Sequence, residues 1–280
     1  MSEMLTVPPP AGTDVAGETD DHAHPTATGI TNEKLAMWVF LGSECLLFGA
    51  LISTYMLYKN RSGLVAGGHG SPIRMSDLYD IPFTSVSSFV LLASSLTMVF
   101  AVVSIARGDL SRLKLWLAAT AALGAIFVGG QVYEFTGFLR EGAEVRTQVL
   151  EQRAERRDGA VPFDEPFVVT LPAKHTLTFN FLESGDVMVA RQGEPASRMD
   201  PEDIGAGFTS SVSSSAFFTL TGFHGVHVSL GIIMLLVTLA LASAGRITKR
   251  NAETVEIVGL YWHFVDVIWV LIFTIVYLIP

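Results

Sequence analysis

Apolar residues gather into five long blocks, about 35–58, 82–106, 113–138, 215–243 and 255–279, with polar stretches between them. A bilayer core about 30 Å thick is crossed by roughly 20 predominantly apolar helical residues. Each block is long enough, so the pattern predicts an all-α membrane protein with five transmembrane helices in a bundle. The polar stretches then divide the chain into a tail (1–33), helices one to three (34–138), an extramembrane insertion (139–214) and helices four and five (215–280).

The insertion is far longer than an ordinary helix connection and carries its own pattern. Glu141 to Arg157 is charged and compatible with helix. Beyond it, Phe167-Val168-Val169-Thr170-Leu171, Thr176-Leu177-Thr178-Phe179-Asn180-Phe181 and Asp186-Val187-Met188-Val189-Ala190 look like strands. Leu177, Phe179 and Phe181 alternate with polar residues at the period of a half-buried strand, and Ser184-Gly185-Asp186 reads as a turn. A small β-element outside the membrane is expected.

Composition agrees with a membrane chain: 50% hydrophobic, 16% charged. The formal net charge of -9 lies mostly in the tail and the insertion, and no basic patch suggests nucleic acid. The tail has no Lys or Arg, contains Pro8-Pro9-Pro10, and lacks the basic start and apolar run of a secretory signal; it reads as disordered. His22 and His24 within it read as solvated residues rather than metal ligands. The lone Cys45 falls in the first helix and has no internal disulfide partner. Positive charge at helix ends sets orientation. Lys34, Arg107, Arg112, Lys114, Arg246, Lys249 and Arg250 outweigh Lys59, Arg61 and Arg74, which places the N-terminus inside and the C-terminus and insertion outside.

Polar and ionisable groups inside apolar helices need partners or a function. They are Glu44 in helix one, Gln131 and Glu134 late in helix three, His224 and His227 in helix four, and His263 and Asp266 in helix five. The spacing of three puts His263 and Asp266 on one helix face, within reach of each other. Counting 1.5 Å per residue places Glu44, His224, His227, His263 and Asp266 at similar depth, with Gln131 and Glu134 nearer the outer face. This makes His227 and Glu44 the expected neighbours of His263 and Asp266. Such a set could ligate a metal, relay protons, or pair internally or with lipid head groups. Gly222 and Gly225 beside the helix-four histidines favour close helix packing, and satisfied interhelical hydrogen bonds are the simplest reading of each histidine. Glu44, a lone carboxylate at the midplane, is the better candidate for proton handling or lipid fixing.

Four stretches carry a family resemblance: Trp38-Val39-Phe40-Leu41-Gly42-Ser43-Glu44, Gly130-Gln131-Val132-Tyr133-Glu134, Gly222-Phe223-His224-Gly225-Val226-His227-Val228, and Tyr261-Trp262-His263-Phe264-Val265-Asp266-Val267-Ile268-Trp269. In this order, each in its own helix, they resemble subunit III of haem–copper oxidases, and the stretches around Glu44, His224 and His263 resemble the cytochrome c form more than the quinol form. The resemblance implies the five-helix variant of a subunit that otherwise has seven, with a lipid-holding cleft that loses its two N-terminal helices here. It implies no catalytic residue, haem or copper in this chain, with redox centres in partner subunits I and II and bound phospholipid compatible with the family. It also makes Glu44 the match to the family's reactive buried glutamate, and implies a role in supporting proton uptake and durability. The insertion departs from the family, and contact with an electron-donor protein or a neighbouring complex is expected of it. A bacterial inner-membrane location follows from the same resemblance. A proton-coupled transporter built on Glu44 and Asp266 is the main rival, and a scaffold with an outer binding domain is a third.

Overall fold

The computed structural model describes residues 31–59, 78–171, 175–193, 195–204, 212–248 and 251–279. Most of the tail, with His22 and His24, and the basic residues Arg61, Arg74, Lys249 and Arg250 lie outside the described residues. Five helices are long and apolar enough to span a membrane: α1 Asn32–Lys59, α2 Ile81–Arg107, α3 Leu110–Arg157, α4 Val212–Ser243 and α5 Ala252–Phe273, the last running into a π-helical turn, Thr274–Leu278.

Local chemistry fixes the α2–α3 hairpin. Asp80 caps α2 by accepting from the Phe83 amide, with Pro82 in the first turn where its missing N–H costs nothing. Gly108 ends the helix at φ 79°, a left-handed conformation that glycine adopts without strain. Asp109 immediately caps α3 by accepting from the Arg112 amide. Two residues therefore reverse the chain.

The third helix does not stop where its apolar block stops. It runs 48 residues without a break, about 72 Å at the helical rise, so the boundary expected at 138 falls inside α3. The charged stretch Glu141–Arg157 continues the same helix out of the membrane.

The insertion rests on that extension. Strands β1 Phe167–Thr170, β2 Thr176–Phe181, β3 Val187–Arg191 and β4 Ser197–Met199 form an antiparallel meander in the order β1-β2-β3-β4. Phe179 pairs with Phe167 on one side and Val189 on the other. Leu177, Phe179, Phe181, Val187 and Val189 are all buried, as the period-two alternation requires. The buried Arg156 of α3 joins the two parts: its guanidinium lies 4.2 Å over the Phe181 ring and donates to the Glu165 carbonyl at 2.7 Å.

Within the bundle α2 packs between α3 and α5, α4 lies against α3, and α1 sits outside on α4 and α5. Trp262 is the central wedge. A Cβ on Gly124 or Gly231 would stand 2.6 or 2.8 Å from its ring, so only glycine lets α3 and α4 approach it.

Candidate functional site

The polar residues of the helices fall into three groups. The first joins α1 to α4. Glu44 Oε2 lies 3.1 Å from His227 Nε2, and His227 Nδ1 lies 2.8 Å from the Phe223 carbonyl. A carbonyl only accepts, so Nδ1 carries a proton and the Nε2–Oε2 contact holds a second. Whichever atom holds that second proton, the pair is neutral overall. A carboxylate and an imidazole can thus sit together in hydrocarbon without net charge. The Tyr261 hydroxyl donates to the His227 carbonyl at 3.0 Å, and the Phe48 ring stands 5.2 Å from the imidazole. Glu44 is therefore not the lone carboxylate expected from its helix.

The second group lies between α2 and α5, and hydroxyls dominate it. The Trp269 indole donates to Ser88 at 2.8 Å, Trp262 to Ser94 at 3.0 Å, and His263 Nδ1 lies 2.7 Å from the Ser95 hydroxyl. Ser88 and Ser94 donate back to Thr84 and Leu91 carbonyls of their own helix, which frees a lone pair for the indole. Asp266 is buried here, and among the described residues neither of its oxygens takes a hydrogen bond.

The third group is at the end of the bundle next to the insertion. Thr84 donates to Glu134 Oε1 at 2.6 Å and Gln131 to Oε2 at 3.3 Å, all three buried. The buried rings of Tyr79 and Tyr277, 4.6 Å apart, pack beside this group.

Three expectations are corrected by this arrangement. His263 and Asp266 do not bond each other, and Glu44 and His227 are not their partners, because α1–α4 and α2–α5 are different interfaces. His224 makes no hydrogen bond among the described residues. It is fully buried among aromatics instead, stacked on Trp269 at 5.0 Å with Phe127 and Phe48 edge-on. Spacing alone does not reveal Thr84 or the indole bonds of Trp262 and Trp269; the serines of α2 are the available signal, since polar residues in a spanning helix mark a protein interface. No three His, Cys, Asp or Glu side chains converge on a metal-sized site among the described residues.

A family model described as Cytochrome c oxidase subunit III matches residues 3–139 and 200–279. The chain belongs to that family. The two matched parts take in all five spanning helices, and the unmatched gap, 140–199, is the α3 extension with the four strands. Subunit III relatives resemble the chain over nearly its whole length. Cytochrome c oxidase subunit 3 of Bacillus sp. (strain PS3) is 30% identical over 248 residues, 88% of this chain and 86% of the relative. Quinol oxidase subunit 3 of Bacillus subtilis is 29% identical over 244 residues, covering 87% and 85%. Cytochrome bo(3) ubiquinol oxidase subunit 3 of Pseudomonas aeruginosa is 26% identical over 262 residues, covering 94% and 90%. Both donor types are represented at similar identity.

Proposed function

We propose that this chain is the redox-silent subunit III of a proton-pumping respiratory terminal oxidase, with cytochrome c as the electron source of the complex. Family membership carries the reading. Haem and copper belong to partner subunits in it, oxygen is reduced there, and this chain packs against subunit I beside subunit II and membrane lipid. The N-terminus faces the cytoplasm, and the insertion and C-terminus face outward in a bacterial inner membrane. Glu44, bonded to His227, is the proton-exchanging group, and the α2–α5 hydroxyls, His263 and Asp266 form structural seams with Gln131, Glu134 and His224. The α3 extension and its sheet, where acidic residues outnumber basic ones, suit a basic donor protein at the outer surface.

Similar identity to the quinol relatives keeps a quinol donor as a second reading. Oxidase purified without this chain should keep its initial oxygen consumption yet inactivate after fewer turnovers. Glu44→Gln keeps a donor toward His227 Nε2 but cannot exchange the proton, so it should reproduce part of that loss. Equal durability of all three preparations would refute the supporting role. Proton-driven solute flux by the isolated chain in liposomes would favour the transporter instead.

A further inference from the structure

The α2–α3 hairpin, at the membrane face opposite the insertion, forms a groove of about 260 Å³. It is lined by Phe100, Val103, Ser104, Leu115 and Trp116 together with Arg107 and Arg112. The Phe100 and Trp116 ring centroids stand 4.9 Å apart along it. Leu115, Phe100 and Val103 are exposed, so the apolar part opens outward rather than toward the core. One Asp109 oxygen takes the Arg112 Nε at 3.1 Å, and the Arg112 side chain is still 69% exposed. Arg107 forms the last turn of α2 and Arg112 the first turn of α3, so two guanidinium groups flank one opening.

From this juxtaposition we propose that the groove binds one anionic phospholipid, its phosphate between Arg107 and Arg112 and an acyl chain along Phe100, Val103 and Leu115. The chemistry points to a lipid rather than a soluble anion. Guanidinium forks match phosphate oxygens, Trp116 sits where amphipathic rings prefer the head-group level, and basic pockets between helix ends are suited to acidic head groups. Ordinary topology-setting arginines need no apolar groove below them. This one continues from charge to hydrocarbon as a phospholipid does. The site is built wholly from this chain and lies between α2 and α3, away from the seams described above.

Native mass spectrometry of the purified complex with equal phosphatidylglycerol and phosphatidylethanolamine added tests it. Wild-type protein should retain phosphatidylglycerol preferentially, and Arg107→Gln with Arg112→Gln should lower that retention roughly 30-fold, at about fivefold per basic residue near a membrane surface. Leu115→Gln should weaken it less, and Arg140→Gln at the other membrane face should leave it unchanged. Equal retention of the two lipids by wild type, undiminished retention in the double variant, or equal competition by glycerophosphate without acyl chains would each overturn the proposal. The single variants Arg107→Gln and Arg112→Gln, each expected to lower retention about fivefold, decide the matter if the double variant fails to assemble.

Discussion

The first and last helices are equally fit for a membrane but are held in different ways. Half of the apolar window of α5 is buried inside the protein, against 11% of that of α1. The α5 helix is locked by shape: Trp262 fills the space left by Gly124 and Gly231, and Trp262 and Trp269 bond serines of α2. The α1 helix is attached by polar contacts along its length. Lys34 bonds Glu256 at 2.7 Å and Thr31 bonds Glu253 at one end, Glu44 bonds His227 near the middle, and Lys59 donates to the Ile275 and Ile279 carbonyls at the other end. Between those points Trp38, Val39, Leu46 and Leu57 face outward. Lipid is as apolar as a leucine face, so burial is decided by packing and hydrogen bonds and not by hydrophobicity.

The contrast is sharpest at the glycines. Gly124→Ala and Gly231→Ala should each destabilise the bundle by about 1–3 kcal/mol through overpacking against Trp262, read by denaturant unfolding in detergent. Gly42→Ala on α1, where an added Cβ meets nothing within 4 Å, should be neutral. A comparable loss is expected from Glu44→Leu, about 1–3 kcal/mol for leaving His227 Nε2 unpaired, and exchange-protected amides of α1 should respond before those of α5. Equal sensitivity of both helices would break the distinction.

Removing the end tethers should do less. Lys34→Met should cost about 0.2–1 kcal/mol, the range of a partly exposed ion pair, and Lys59→Met about 0.5–1.5 kcal/mol for its hydrogen bonds to carbonyls, each speeding amide exchange in α1 without lowering stability of the α2–α5 core. Unchanged exchange in α1 would show that the tethers hold nothing.

Sequence pattern reveals the five spans because each is a long apolar run, and reveals the sheet because Leu177, Phe179 and Phe181 keep period two. It reads Glu141–Arg157 as helix-compatible but leaves unmarked that this charged stretch continues α3 without a break, because the apolar run ends before it. Candidate site residues are visible as polar groups in apolar helices, and depth follows from residue counting. Azimuth does not. Rotation of one helix about its axis decides that Glu44 meets His227 while His263 meets Ser95, and apolar residues on all sides of a spanning helix leave that rotation unmarked. His224 shows the limit from the other side, because an imidazole buried in aromatic rings leaves no trace in spacing.

The weakest expected effect lies outside the membrane. The Arg198 guanidinium bonded to Asp186 holds that carboxyl below the usual carboxylate range. A lowered folded-state value adds stability above the unfolded pKa of about 4, and the gain disappears as pH falls through the folded value. Amide exchange in β3 and β4 should therefore quicken below about pH 4 and change little above it, and Arg198→Gln should remove this pH dependence. The bundle, by contrast, should be unaffected by that substitution.

Membership of an oxidase complex is tested most directly by isolating the membrane complex through a tag on this chain, then determining haem and copper per subunit together with oxygen consumption. One copy of the chain per haem-bearing partner is expected, with oxygen reduction in the complex and no stoichiometric metal in the chain once separated. A tagged chain that comes out of the membrane without a haem protein, or that retains stoichiometric haem or copper alone, would contradict it.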